Sequence, residues 1–386
     1  MVEVGDYVIY YRILIIQLVA NIFDISWFFQ GIEEFDKTVI RNLIVKLLSL
    51  VLIFTIVKTP NDLWLYFLIF VGAELIGNIT LWFYIPKYIE KVKLKELTFK
   101  KHIKPTILLF LPQIAIQIYT VLDKTMIGKI TGNMLEVGYY EQAQKIVKAA
   151  LTITGALQTV MSSRIANAYA VGDKDEIKRC LGRSINFVWF LTVPMMFGLI
   201  SISSNFVPWY YGDSFDRVIP ILMATSPILI FIGLSGVTGI QYLVQIGKQK
   251  EFTISVTIGA LVNIIFNFIL IKQLESIGAV ISSVIAEATI LIIQLIYIKN
   301  QITILEVLKL SIKCIISGIV MFIVVRLLVI NMSISILNTL IQIIVGAIVY
   351  FVMLKITKYK FLEEIQNQVS NGLKNKILDL KNKKYC

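Results

Sequence analysis

The chain has 386 residues, of which 57% are hydrophobic and only 16% are charged, and its mean hydropathy is +0.79. Soluble domains usually carry about 25% charged residues, so this composition excludes an ordinary water-solvated globule. The formal net charge of +12 would suit a protein that binds nucleic acid. The placement of the charges along the chain therefore decides between that class and a membrane protein.

Apolar runs of about 18 or more residues, each long enough to cross roughly 30 Å of hydrocarbon as a helix, recur along the whole chain. A β-barrel would instead show alternating strands of about ten residues, a pattern that the sequence lacks. Gly233 and Gly236 lie inside such runs and predict close approaches between helices or kinks. We predict an all-α polytopic membrane protein of about eleven transmembrane helices. In chain order, the predicted spans are 9–29, 40–57, 62–84, 105–128, 137–162, 184–206, 218–245, 252–271, 275–298, 307–329 and 333–356.

Lysine and arginine are concentrated in every second connection between these spans and in the C-terminal tail. This alternation is the positive-inside rule, and a basic surface for nucleic acid would not follow the parity of the spans. We therefore expect no nucleic-acid partner, a cytoplasmic C-terminus and 86–104 loop, and an external position for residues 1–8. The basic segments are 31–46, 86–104, 164–183, 247–251, 299–313 and 355–386.

The sequence offers few groups for covalent chemistry. Cys180, Cys314 and Cys386 lack the spacing of a metal or redox site. His102, the single histidine, lies in a Lys-rich loop, and the sequence contains no Ser/His/Asp set, Gly-rich phosphate loop or Walker pattern. We therefore expect neither enzyme activity nor a cofactor nor a metal site.

Polar residues inside the predicted spans indicate a path for water. Positions i, i+4 and i+7 of a helix share a face, and in span 137–162 that face is polar or small over about 32 Å, at about 1.5 Å per residue. A charge at the bilayer centre costs at least about 2.5–3.5 kcal/mol, so charges deep in a span normally face a bundle interior or a wet cavity. The face consists of Glu141, Lys145, Lys148, Thr152, Gly155, Thr159 and Ser162.

Other spans carry similar faces, and two such faces on consecutive helices favour a shared aqueous cavity. Simpler interpretations of these polar faces remain open. The small residues also suit tight helix packing, Lys145 and Lys148 lie near enough to the external end to snorkel, and Glu141 could form an ordinary helix pair with Lys145. The further polar positions are Gln17, Asn21 and Asp24 in the first span, Gln113, Gln117, Thr120, Asp123 and Lys124 in 105–128, Asn263 and Asn267 in 252–271, and Ser283 and Glu287 in 275–298.

Several motifs carry a resemblance to a known family. Between about residues 11 and 300 the chain contains, in order, FDISWFFQGIEEF followed by IRN, then LDKTMIG, VGYYEQAQKIVK, SRIANAYAVGD and NIIFN. These resemble the polysaccharide-transporter branch of the MOP superfamily, which comprises flippases of O-antigen and capsular oligosaccharide lipids. MATE exporters and lipid II flippases are more distant relatives. The resemblance implies two helical lobes around a central cationic cavity, often followed by two extra C-terminal helices.

On that pattern the chain divides into four parts. Residues 1–95 would be a partial N-terminal lobe of three helices, 96–300 a six-helix lobe, 301–357 the extra helix pair, and 358–386 a basic cytoplasmic tail near anionic lipid headgroups. The family's first three helices have no counterpart here, so we expect an N-terminally truncated form of such a flippase.

The resemblance implies movement of an undecaprenyl-diphosphate-linked oligosaccharide across the bacterial plasma membrane, without a cofactor. Its expected partners are that lipid-linked oligosaccharide, membrane lipids, and a polysaccharide polymerase with its chain-length machinery. The alternative is a MATE-like secondary exporter of small organic cations, whose cavity should be dominated by acids, whereas lysines outnumber the deep acids here. The expected cavity residues are Lys124, Lys145, Lys148, Gln113, Gln117, Asn21 and Asp24, and the candidates for ion coupling are Asp123, Glu141 and Glu287.

Overall fold

The computed structural model describes residues 8–32, 34–90, 98, 100–364 and 366. Over these residues the chain is helical and forms no strand. Eight helical segments in the described part of the chain are long and apolar enough to cross a membrane. The prediction of an all-α polytopic membrane protein is therefore confirmed. The chain forms two compact units, Met1–Phe99 and Lys100–Cys386.

The first unit contains α1 (Val8–Ile22), α2 (Ser26–Gly31), α3 (Phe35–Ile56) and α4 (Leu63–Trp82), and both α1 and α3 pack on α4. The predicted span 9–29 is not one continuous helix. Asp24 lies in the break between α1 and α2, where its Oδ1 accepts a hydrogen bond of 2.8 Å from the backbone N–H of Ser26. An aspartate in this position offers the backbone an alternative to the helical ladder, so α1 ends and α2 begins.

The second unit contains the remaining helices, and α10 packs most extensively against α5, while α11 packs against both α7 and α12. Between α9 and α10 the backbone winds as a π-helix over Gly236–Val244. The helices are α5 (Lys100–Thr131), α6 (Met134–Ala170), α7 (Lys174–Tyr211), α8 (Val218–Thr225), α9 (Ile228–Ser235), α10 (Gln249–Tyr297), α11 (Ile304–Asn331) and α12 (Ile336–Ile356).

The predicted count of eleven spans agrees with these helices once three features are considered. Glu275 has non-helical backbone angles (φ 53°, ψ −129°), so α10 consists of two limbs. Helices α5 and α6 are not among the eight segments, yet they extend for about 48 and 55 Å at about 1.5 Å per residue. Both are therefore long enough to cross a bilayer. The segment from α8 to the π-helix, Val218–Val244, is one of the eight.

The two limbs of α10 lie against each other as a tight hairpin. A Cβ atom at Gly259 would lie 2.3 Å from Cγ1 of Ile290, and one at Gly278 would lie 2.3 Å from the backbone oxygen of Leu270. Only glycine lets the backbones approach this closely, as is common where helices pack inside membranes. The hairpin brings polar residues of the two limbs close together, and these residues form part of the candidate functional site.

The boundary between the two compact units follows Phe99. The predicted division into a partial lobe (1–95), a six-helix lobe (96–300), a helix pair (301–357) and a tail (358–386) stays a prediction. Most of the tail lies outside the described residues.

Candidate functional site

Asp123 of α5 lies in a buried hydrogen-bond network, with only 1% of its surface exposed. Its Oδ2 accepts hydrogen bonds from the hydroxyls of Tyr140 (2.8 Å) and Ser283 (2.7 Å), and its Oδ1 accepts one from Nδ2 of Asn267 (2.6 Å). Asn267 also donates a hydrogen bond to Oδ1 of Asn263, and Nδ2 of Asn263 donates one to the hydroxyl of Ser283. Helices α5 and α6 and both limbs of α10 therefore meet at one carboxyl group, whose donors replace the water lost on burial.

A cavity of about 70 Å³ lies beside Asp123. Lys124, Lys148 and Glu287 also line it, so two acidic and two basic side chains share one small space. A water molecule needs at least about 10–15 Å³ of such volume, so the cavity has room for several waters, an ion or a small polar group. The other lining residues are Thr120, Tyr140, Gln144, Val147, Leu151, Ile228, Ile232 and Ser283.

The lysines of α6 continue from this cavity along one helix face. Lys124 and Glu141 form an ion pair of 3.1 Å, with 35% and 41% of their side chains exposed. Lys145 and Lys148 are exposed and share a face with Glu141, because the three positions are separated by four and three residues. Counted from Met134, Lys145 and Lys148 lie about 17 and 21 Å along the helix axis, at about 1.5 Å per residue. A cationic face therefore extends deep along α6.

The other predicted cavity residues have different surroundings. Gln117 is exposed on α5, whereas the side chain of Gln113 lies outside those that the structure describes. Asn21 and Asp24 belong to the first unit, where Asn21 is exposed and Asp24 accepts a hydrogen bond from the backbone N–H of Ser26. Asp24 is thus not on the same helix as Asn21, because α1 ends at Ile22. The binding roles of these residues stay predictions.

The first unit has its own polar pocket, of about 290 Å³, which the sequence did not predict. Arg41 of α3 donates a hydrogen bond of 2.7 Å to Oδ1 of Asn78, which is buried on α4. Glu74 of α4 accepts a hydrogen bond of 2.7 Å from Gln17 of α1. A signal was present, since Glu74 and Asn78 are four residues apart and share a face of an apolar helix. Asp24 also lines this pocket.

A second missed cluster joins the start of α6 to the kink of α10. Glu136 is buried in the first turn of α6, where its carboxylate accepts a hydrogen bond of 3.1 Å from Nε of Arg217 and another from the hydroxyl of Ser276. Nη2 of Arg217 also donates to Glu275 at 2.5 Å. No local pattern predicts this cluster, because its members are far apart in sequence and resemble solvated charges between spans.

The described residues contain no group of three or more His, Cys, Asp or Glu side chains placed to hold a metal ion. Cys180 and Cys314 are buried free thiols. Cys386 and the side chain of His102 lie outside those that the structure describes.

Comparisons of sequence relate the chain to polysaccharide export. A family model described as polysaccharide biosynthesis protein matches residues 3–161. A protein assigned as an O-antigen transporter in Escherichia coli (strain K12) is 24% identical over 288 residues, which cover 74% of this chain and 68% of that protein. The lipid II flippase MurJ of Bacillus subtilis (strain 168) is 23% identical over 49% of this chain and 36% of that protein.

Two solved structures share the fold. Lipid II flippase MurJ in an inward closed conformation matches with a TM-score of 0.66 and 21% identity, over 83% of this chain and 66% of that one. An outward-facing MATE multidrug resistance transporter of the MOP superfamily matches with a TM-score of 0.58 and 12% identity, over 73% and 65% of the two chains. The chain thus spans about two thirds of the length of each solved protein. The two solved structures show the fold of the chain, and the family model and the O-antigen transporters show that its sequence is similar to proteins of polysaccharide export.

Proposed function

We propose that the chain is a flippase that moves lipid-linked oligosaccharide units across the plasma membrane of a bacterium, for surface polysaccharide biosynthesis. The cationic face of α6 carries this proposal, because lysines deep in a span need a wet surface and an anionic partner. The O-antigen transporters and the lipid II flippase among the relatives support the same class of cargo. Oligosaccharide delivered outside must then be joined to other units, so we also propose a polysaccharide polymerase with its chain-length machinery as partners.

The cargo's diphosphate is the group that the lysines would hold. Lysine binds phosphate as a mobile point charge without fixed two-point geometry, which suits a ligand that must be released. Glu141 would neutralise Lys124 between cargoes, and such a partly exposed pair is worth only about 0–1 kcal/mol, so an arriving diphosphate displaces it at little cost. The sugar would enter the wet cavity while the polyprenyl tail stays in lipid.

Ion coupling would use the cavity beside Asp123. The cavity has room for an ion, and Asp123 and Glu287 provide carboxylates on its wall. Moving one charge through the membrane potential supplies about 2.3 kcal/mol per 100 mV, enough to bias a two-state transporter. We therefore propose that a proton or metal cation exchanges at this cavity during the transport cycle.

Replacement of Lys145 or Lys148 by alanine tests the proposal. In cells that depend on this chain for O-antigen or capsule export, we expect each variant to lower export about tenfold, since a hydrogen bond to a charged group is worth about 1.5–3 kcal/mol. Lys145→Arg and Lys148→Arg keep the charge and should lose less. Export is measured as labelled polysaccharide at the cell surface, and membrane insertion by the amount of chain in the membrane fraction.

Lys129→Ala is the matched control, because Lys129 is an exposed lysine in the last turn of α5 and lies outside the cationic face of α6. It should export at the parental rate. If both alanine variants are inserted and also export at that rate, the lysines merely snorkel and the cavity assignment is wrong. Export of small organic cations with unchanged polysaccharide export would instead favour the MATE-like alternative.

We further propose that the C-terminus and the 86–104 loop are cytoplasmic, on the distribution of basic residues. A reporter that works only in the cytoplasm, fused after Lys104 or after Cys386, should give signal at both positions. The same reporter after Gly132, in a predicted external turn, should be silent. Signal at only one of the first two positions would contradict the predicted number of spans.

A further inference from the structure

Three of the basic segments meet at one cavity of about 410 Å³ in the second unit. The cavity lies between the N-terminal parts of α7 and α11 and the residues that follow α12. It shares no lining residue with the cavity beside Asp123. Cationic side chains dominate its wall, and Glu364 is the single acid among the lining residues. The cationic residues are Lys178, Arg179, Arg183, Lys309, Lys313 and Lys360.

Hydrogen bonds from Tyr359 and Lys313 hold these segments together. The buried Tyr359 donates to the backbone oxygen and to Oδ1 of Asn186, at 3.2 and 3.0 Å, which fixes the residues after α12 against α7. Lys313 of α11 donates to the backbone oxygen of Lys358 at 2.7 Å. Lys358 has a positive φ of 50°, which turns the chain back after α12. The cavity is thus a built feature of the fold.

The charges of this cavity are only partly balanced. Arg179 forms an ion pair with Glu176, and Nε of Arg183 lies 4.0 Å from Glu364. Lys178, Lys309 and Lys360 are exposed and add positive charge to the same space. Like charges gathered in a cleft raise the local concentration of counter-ions, so the expected ligand is an anion. The volume falls within the roughly 300–1,000 Å³ that is typical of small-molecule sites.

An apolar cavity of about 350 Å³ lies beside this basic one. The ring of Phe361, on the basic cavity's wall, contacts the ring of Phe190 on the apolar cavity's wall, with 6.1 Å between centroids. The apolar cavity runs between α7, α11 and α12, past Pro194, Met321 and Gly346. A basic cavity beside an apolar cleft between spans suits a molecule with a phosphate head and an acyl chain.

We propose that the basic cavity binds the phosphate of an anionic phospholipid, with an acyl chain in the apolar cleft. Basic pockets between transmembrane helices on the cytoplasmic side take such headgroups. The three segments that form the cavity are all predicted to be cytoplasmic, so the lipid would come from the inner leaflet. The same phosphate chemistry is also offered by a soluble phosphate ester, and the experiment separates the two sources.

The test measures the thermal unfolding midpoint of the purified full chain in mixed micelles. Micelles with phosphatidylglycerol should raise the midpoint by several degrees over micelles with phosphatidylcholine. The triple variant Lys178→Gln, Lys309→Gln, Lys360→Gln should lose most of that increase while unfolding like the parent in phosphatidylcholine. The matched control replaces three other exposed lysines from predicted cytoplasmic segments, and should keep the increase. Its substitutions are Lys174→Gln, Lys250→Gln and Lys299→Gln.

Soluble glycerol 3-phosphate, added to phosphatidylcholine micelles, is the third arm of the test. No increase in the midpoint with this compound supports a lipid as the source of the phosphate. An increase that the cavity variant loses would overturn the lipid assignment in favour of a soluble phosphate ester. Equal losses in the cavity and control variants, or no effect of phosphatidylglycerol on the parent, would overturn the site.

Discussion

Replacement of Asp123 by alanine is expected to lower the free energy of unfolding by about 3 kcal/mol or more. The change removes the acceptor of three buried hydrogen bonds, from Tyr140, Asn267 and Ser283. Each donor left unsatisfied costs about 1–3 kcal/mol, although some rearrangement within the network reduces the sum. The measurement is the denaturation midpoint of the purified chain in detergent, compared with the parent.

Asp123→Asn separates the stability of the network from the proposed ion coupling. Asparagine has nearly the same shape and keeps one acceptor oxygen, so the loss of stability should be smaller than for alanine. The charge is removed, so we expect export to fall at least about tenfold, the equivalent of about 1.4 kcal/mol, if a cation or proton exchanges here. Asp213→Asn is the control, because Asp213 is exposed in the short helix after α7. Parental export by Asp123→Asn would remove Asp123 from the coupling mechanism.

The sequence predicts most members of this network, but it does not predict that their side chains converge on one carboxyl group. Asp123, Asn263, Asn267 and Ser283 each stand out as polar residues within apolar spans. A polar residue in a membrane span needs a partner, so their involvement follows from local chemistry. Their convergence depends on how α10 folds back on itself and packs against α5, which is decided by contacts between residues far apart in the chain. Periodicity on single helices carries no information on such contacts.

The close approach of helices at two glycines could also be predicted from the composition of single spans. The sequence predicts close helix approaches at Gly233 and Gly236, and a Cβ atom there would lie 2.8 Å from Val188 and 2.1 Å from Gln158. The π-helix that begins at Gly236 was not predicted, because its extra residue per turn depends on packing against neighbouring helices. The composition of a span thus predicts where helices approach closely, but it does not predict how the backbone winds there.

The break between α1 and α2 at Asp24 is a feature that a hydropathy average does not predict. The apolar run through residues 9–29 predicts one span, with Asp24 on its polar face. The hydrogen bond from the backbone of Ser26 to Asp24 ends that helix, since aspartate competes with the helical backbone for donors. A window of hydropathy averages over this local chemistry. The preference of aspartate for turns can be recognised in a sequence. Here the apolar residues on both sides of Asp24 nevertheless favoured the prediction of one continuous span.

Arg217→Ala is expected to have the second large effect on stability. Arg217 links the buried Glu136 of α6 to Glu275 at the kink of α10. Removal of one partner of a fully buried ion pair costs about 3–5 kcal/mol, because the other charge is left uncompensated. The side chain of Glu136 is only 6% exposed but that of Arg217 is 38% exposed, so water screens part of the pair. We therefore expect the free energy of unfolding to fall by about 2 kcal/mol, a value between those of fully buried and fully exposed ion pairs.

A double-mutant cycle with Glu136→Gln distinguishes this mechanism from a general effect of truncating Arg217. Glutamine is neutral and can still accept the hydrogen bond from Ser276, so Arg217→Ala should cost much less in that background. Lys272→Ala is the control for charge, because Lys272 is exposed close to the same kink. The unfolding midpoint in detergent is the measurement for all four chains of the cycle and for the control. Equal costs of Arg217→Ala with and without Glu136→Gln would show that the carboxylate of Glu136 is not what Arg217 stabilises.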